Sequence, residues 1–378
     1  MTHQVYLGLE QGTLEQKNAF WTAREISQQP SVWQQLLAQM VQEQGELQDW
    51  LKPVLALPNL RIILTGAGTS AYIGEALQAH LNARMTLSAG QRVEAISTTN
   101  ILSNPGLQLR KDVPTLLVSY GRSGNSPESR AAVELADQLV EDCWHLVVSC
   151  NPEGALVTSA KDNPRYKVLL MPSAAHDQSF AMTSSFTSMM LATLTLFTPD
   201  QAQYDKMRLL AEQILLRDLD SIETLAALPC RRLVFLGSGP LLAIAREAAL
   251  KVLELTAGGL PSFYESPLGF RHGPKSLIDN STQVLLLPSA NSYTGRYDAD
   301  LRLELQKDAQ ALHISAPVAL SQIAGLEDVW LGFPYILYCQ MLGFFKALQF
   351  GISPDNPCPT GEVNRVVQGV NIYPYRQD

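Results

Sequence analysis

Glu247, Lys251 and Glu254 follow one another at spacings of four and three, so on a helix they share one face. Leu250, Val252, Leu253 and Leu255 supply apolar cover around them. Gly258 and Gly259 then break the chain, and a turn-rich segment presents Arg271-His272-Gly273-Pro274-Lys275. A carboxylate on a rigid helix and a histidine on a following loop make a pair able to move protons on a small substrate. The same residues also read as a surface ion pair, Glu247 with Lys251, and a histidine that only fills a turn.

A second set of residues suits an anion. Residues 121–129 read GRSGNSPES, which gathers Arg122, Ser123, Gly124, Asn125 and Ser126 at the start of a helix. Hydroxyls, amides and a helix dipole there fit a phosphate, although the same residues favour an ordinary cap and turn. The segment is not a GxxxxGK[ST] nucleotide loop. Gly66-Ala67-Gly68-Thr69-Ser70 follows an apolar run and gives a weak dinucleotide pattern. Its counterpart Gly237-Ser238-Gly239 points to a requirement of the fold rather than a nicotinamide cofactor. Thr183 and Ser184 open an apolar helix and form a third hydroxyl-rich segment, or a plain cap. His176-Asp177 has no further metal ligands at useful spacing. His3, His80, His145 and His313 lack partners in sequence and read as structural.

The elements that must position these groups come as a repeat. RIILTGAG from Arg61 recurs as RLVFLGSG from Arg232, 171 residues later, each an apolar run into a glycine turn and a helix. Further strands are expected at 92–97, 115–119, 145–150 and 167–171, and in the second half at 283–287, 312–315 and 329–332. Each half ends on an apolar helix, 180–197 and 334–350, and a helix over 201–228 joins the two. Short apolar strands alternating with helices imply an α/β fold with covered parallel sheets. The expected organisation is a helical arm over residues 1–56, one subdomain over 57–205 and a second over 206–378. The last includes a tail with a strand-like run at 363–373.

The chain has 378 residues, a net charge of −8 and no Lys/Arg run, which argues against nucleic acid or an anionic membrane as partner. Its five cysteines are scattered without a CxxC spacing, and Cys143, Cys150 and Cys339 read as small core residues. No apolar leader opens it, and the longest apolar helix, near 187–197, is too short for a bilayer. These features read as a soluble, cytoplasmic protein.

In order along the chain, LRIILTGAGTSAYIG, SYGRSGNSPES, HDQSFAMTSSFT, ALKVLELTAG, SPLGFRHGPKSLID and NRVVQGV resemble the sugar isomerase (SIS) family of phosphosugar-binding proteins. The resemblance is greatest to its galactosamine-6-phosphate deaminase/isomerases, also described as tagatose-6-phosphate ketose/aldose isomerases. It implies two tandem flavodoxin-like SIS subdomains, parallel sheets flanked by helices. Sugar phosphate is expected on Ser123, Gly124, Asn125 and Ser126, with Gly68, Thr69 and Ser70 near the substrate.

By similarity to the isomerase half of glucosamine-6-phosphate synthases, Glu254 matches the proton-shuttling glutamate and His272 the ring-opening histidine. Lys251 and Glu247 match charged residues of the same site. Where those synthases carry a Schiff-base lysine this chain has Gln368, which argues against a lysine imine. The resemblance implies galactosamine 6-phosphate going to tagatose 6-phosphate and ammonia, with no metal or redox cofactor. It also implies a homodimer or a dimer of dimers in which the histidine serves a neighbouring subunit. The chemistry places the chain among hydrolases as well as isomerases and deaminases. A plain ketose/aldose isomerase, a fructosamine-6-phosphate deglycase and a non-catalytic phosphosugar sensor are the alternatives.

Overall fold

The computed structural model describes residues 4–376, so His3 lies outside the described residues. A short antiparallel hairpin, β1 (Val5–Tyr6) and β2 (Leu9–Glu10), precedes two parallel sheets. The chain forms two compact units that are each discontinuous in sequence.

One unit comprises Ser31–Asp177, Ser184–Pro199 and the chain from Thr360 onward. Its sheet has β3 (Arg61–Thr65), β4 (Arg92–Ala95), β5 (Thr115–Gly121), β6 (Cys143–Ser149) and β7 (Tyr166–Leu170). The spatial order is β4-β3-β5-β6-β7 and all pairings are parallel. Every residue of β3 and β5 is buried, which is why these strands read as unbroken apolar runs instead of alternating ones. Trp33 is sealed in this unit and its Nε1 donates to Thr187 Oγ1 at 3.0 Å.

The other unit comprises the chain up to Pro30, Gln178–Thr183 and Asp200–Pro359. Its four-stranded parallel sheet runs β11-β10-β8-β9, with β8 (Arg232–Gly237), β9 (Ser262–Glu265), β10 (Thr282–Leu287) and β11 (His313–Ser315). Distant segments are tied in by two carboxylates, half-buried Asp355 and buried Glu25. Asp355 accepts from Trp21 N at 3.0 Å and Thr22 N at 2.7 Å, satisfying the orphan amides of the Phe20–Ser27 helix. Glu25 accepts from Gln178 N and from Ser179 Oγ, the latter at 2.5 Å.

The two halves of the repeat share backbone geometry. Gly68 has φ +56° and ψ −128°, and Gly239 has φ +56° and ψ −127°, a conformation that side chains rarely adopt. A Cβ on Gly66 would meet the Ser70 backbone at 2.6 Å, and one on Gly237 the Leu241 carbonyl at 2.4 Å. The recurring glycines are therefore set by the strand-to-helix turn.

Several expectations are corrected. Residues 329–332 are not a strand but the first turns of the Asp328–Gln349 helix. Pro334 lies inside this helix rather than starting it, because burial of almost every residue outweighs one missing amide. That helix, and not 187–197, is the longest apolar one among the described residues; it is long and apolar enough to cross a membrane, but 94% of its apolar window is buried inside the protein. The run 363–373 forms no strand, and the joining helix is two, Gln201–Arg217 and Leu219–Ala227. The parallel strand β9 has no counterpart among the expected ones.

Candidate active site

The Pro240–Leu255 helix starts at the Gly239 turn and packs against the Asp328–Gln349 helix. Its charged stripe is inverted relative to an ordinary amphipathic helix. Glu247 is 0% exposed and Lys251 1%, whereas Leu253, expected as apolar cover, is 40% exposed. Lys251 Nζ lies 3.4 Å from Glu247 Oε1 and donates to the carboxylate of Glu254, which keeps a quarter of its side-chain surface in solvent. The surface-pair reading is therefore set aside: two charges are sealed and the third, Glu254, is presented.

His272 stands exposed on the loop between the short Pro267–Phe270 helix and the 3₁₀ turn Pro274–Leu277. Its neighbours fix the loop. Arg271 Nε pairs with Glu304 at 2.8 Å, and Lys275 pairs with Glu304 and, at 2.6 Å, with Asp308. Gly273, at φ +120°, allows the turn between them. The loop thus holds its histidine outward on a pinned base.

In the other unit the 121–129 loop follows β5 and is stapled from within. Asn151 Nδ2 donates to the Ser123 carbonyl at 2.9 Å, and Asn125 Oδ1 accepts from Ala155 N at 2.8 Å. Ser126 caps the Pro127–Leu139 helix by accepting from Ser129 N at 3.2 Å. Gly124 takes φ +65° in the turn. Asn125 and Ser126 thus have structural employment as well as their candidate role.

The corresponding loop of the second half, after β10, fills its own cradle. Asp298 accepts from Ser289 N at 2.8 Å, and Asp328 accepts from Ala290 N at 2.9 Å and Ser289 Oγ at 2.6 Å. Burial holds both carboxyls above their usual range. Among the described residues, no carboxylate takes the amides of 123–126. Of the two related loops, the first alone is left open to an external anion.

Gly68 is exposed at the start of the Thr69–Arg84 helix, and Thr69 and Ser70 are buried in its first turn. Thr183 and Ser184 are fully buried, and they fall in different units. Ser184 N donates to Asp177 Oδ1 at 3.0 Å and Ser185 N to Asp177 Oδ2 at 2.9 Å, so Asp177 caps the Ser184–Phe197 helix. Arg122 is buried and its guanidinium donates to the Arg365 carbonyl at 2.7 Å, while Arg365 donates to the Asp177 carbonyl. His176 is held below its ordinary pKa by burial and by Arg365 and Arg122. Gln368 is exposed. Sequence reasoning missed the roles of Asp177 and Arg365, and only their place in the quoted motifs could have flagged them.

The SIS domain model matches residues 55–199. A D-galactosamine-6-phosphate deaminase (AgaS) of Shewanella sp. is 56% identical over 364 residues, covering 96% of this chain and 94% of that protein. The chain belongs to the SIS family. Another relative of this SIS protein, the D-galactosamine-6-phosphate deaminase of Escherichia coli O157:H7, is 44% identical over 94% of this chain and 96% of its own. The crystal structure of the Escherichia coli tagatose-6-phosphate ketose/aldose isomerase matches with a TM-score of 0.86 and 41% identity. That match covers 94% of this chain and 97% of the other. These relatives are named as deaminases and isomerases, which overturns the expected placing among hydrolases.

Proposed function

We propose that this SIS protein is a D-galactosamine-6-phosphate deaminase that forms tagatose 6-phosphate and ammonia in the cytoplasm. The observation that carries the reading is the inverted charged stripe, which holds Glu254 at the surface on a sealed Lys251–Glu247 pair. The 56% identity to a protein of that name supports the choice of substrate.

In the mechanism, the open 123–126 loop takes the phosphate through hydroxyls and amides. His272 passes a proton from O1 to the ring oxygen and opens the sugar. The Glu254 carboxylate takes the proton from C2, giving an enolamine, and returns it at C1. The double bond then lies between C2 and nitrogen. Water adds at C2 and ammonia leaves, giving the 2-ketose. Lys251 holds the Glu254 carboxylate in one orientation throughout. Two subunits form the working enzyme, each lending His272 to the other's site.

The test is ammonia release by the purified chain from galactosamine 6-phosphate, with tagatose 6-phosphate identified as product. Ketose formation from a non-amino aldose phosphate, with no ammonia from any hexosamine phosphate, would establish a plain isomerase instead.

A further inference from the structure

We propose that Cys143, His145 and Asp137, the last oriented by Tyr166, form a structural site for a thiophilic divalent ion of the zinc class. Cys143 and His145 are two apart on β6, so both project from the same face of the sheet. Tyr166 pairs in register with His145 on β7 and stacks on it, with ring centroids 4.2 Å apart and planes at 13°. Asp137 comes to them from the Pro127–Leu139 helix: its Oδ1 lies 2.9 Å from His145 Nε2, and its Oδ2 accepts from the Tyr166 hydroxyl.

One donor atom from each of Asp137, Cys143 and His145 lies within 4.8 Å of the other two. Bonds of about 2.0–2.3 Å to a tetrahedral zinc place its ligands roughly 3.3–3.8 Å apart, so the three need about 1 Å of adjustment to close on an ion. Sulfur with imidazole selects zinc-class metals over magnesium or calcium, and the Tyr166 hydroxyl orients the carboxylate by donating to Asp137 Oδ2. The thiol and the imidazole are sealed at 3% and 0% exposure, and Nε2 is the ring nitrogen that faces Asp137.

An ion has a route in. Asp137 and Tyr166 line a cavity of about 540 Å³ together with Glu134 and Asn163. Arg130 also lines this cavity, while Arg165 is drawn off by Asp142 at 3.5 Å and by the Trp144 ring at 5.7 Å. Binding would displace the Cys143 thiol proton to solvent and open the His145–Asp137 hydrogen bond. The role is structural because of position. Cys143 pairs with Thr115 at the amino end of the sheet, whereas the 121–129 loop leaves β5 at its carboxyl end, roughly 20 Å away at about 3.3 Å per residue.

The test uses the full chain, stripped with a chelator and titrated with Co²⁺ alone, then Zn²⁺. One equivalent of Co²⁺ with a thiolate-to-cobalt charge-transfer band, displaced by Zn²⁺, is expected. The band should vanish in Cys143→Ala and stay in Cys358→Ala. Asp137→Asn alters a half-exposed side chain, its folding is checked by circular dichroism, and it should weaken binding about tenfold or more. Absence of the band in the parent protein, its survival in Cys143→Ala, its loss in Cys358→Ala, or full affinity in Asp137→Asn would each overturn the site.

Discussion

Lys251 Nζ and Glu247 Oε1 stand 3.4 Å apart with both side chains withdrawn from solvent. Removing one partner of a sealed ion pair leaves the other charge buried, but Lys251 keeps its pair with Glu254, which softens the loss. Glu247→Ala should therefore lower stability by about 1–3 kcal/mol. Urea denaturation followed by circular dichroism measures it. A loss below about 1 kcal/mol would mean that water or another residue readily replaces the carboxylate.

Glu254 keeps access to solvent while Lys251 and Glu247, its charged partners on the helix, do not. Glu254→Gln preserves shape and the contact with Lys251 but removes the base. Turnover should fall by roughly 10²–10⁴-fold with the fold intact. Solvent deuterium should enter C1 of the product made by the parent enzyme. A glutamine variant with near-normal turnover would take the proton transfer away from this residue.

The 123–126 loop yields a cleaner variant than its composition suggests. Ser126 caps a helix, so replacing it mixes lost affinity with lost stability of about 1 kcal/mol. Ser123 Oγ accepts only a long 3.3 Å bond from Asn125 N. Ser123→Ala should raise KM for the sugar phosphate by about tenfold or more, as a lost hydrogen bond to a charged group costs about 1.5–3 kcal/mol. An unchanged KM places the phosphate elsewhere.

Local pattern carried much of this in the sequence. The recurrence of Gly66 and Gly68 at Gly237 and Gly239 announced two like strand-turn-helix units, because one backbone conformation demands glycine in both. Spacing put Glu247, Lys251 and Glu254 on one face. It could not say that this face is sealed, since burial comes from the Asp328–Gln349 helix some eighty residues on. Pro334 was misleading for the same reason: a proline reads as a helix start, and only packing shows the helix beginning before it. The pairing of His145 with Asp137 crosses from strand to helix and leaves no periodic trace. Discontinuity of the two units is equally silent, as it depends on where residues 4–30 and 360–376 dock.

Burial holds the His80 pKa down at about 4, with Arg84 adding to the effect. The unfolded chain, with histidine near 6.5, then binds the extra proton first. The stability that this neutral histidine lends is complete above about pH 6.5 and is lost as pH falls towards 4. Half-burial softens the effect to about 1–2 kcal/mol between pH 7 and 5. Asp298 and Asp328, raised by burial, act in the opposite sense, so the readout is the difference between His80→Gln and its parent. The variant should lose less stability over that range. Parallel curves would show that His80 titrates normally in the folded protein.

His272 is exposed on a loop whose base is pinned by Arg271 and Lys275 to Glu304. Sharing of this histidine across a dimer predicts complementation. A Glu254→Gln subunit retains its histidine and a His272→Ala subunit retains its carboxylate. In a mixed dimer, one of the two sites then combines the intact carboxylate with the intact histidine, and the other has neither. Random exchange makes about half the dimers mixed, so activity should recover to about a quarter of the parent value. Each variant alone should stay near background. Exchange is checked by native mass spectrometry of differently labelled subunits. If exchange is complete and no activity returns, His272 serves the site of its own chain and the shared arrangement is wrong.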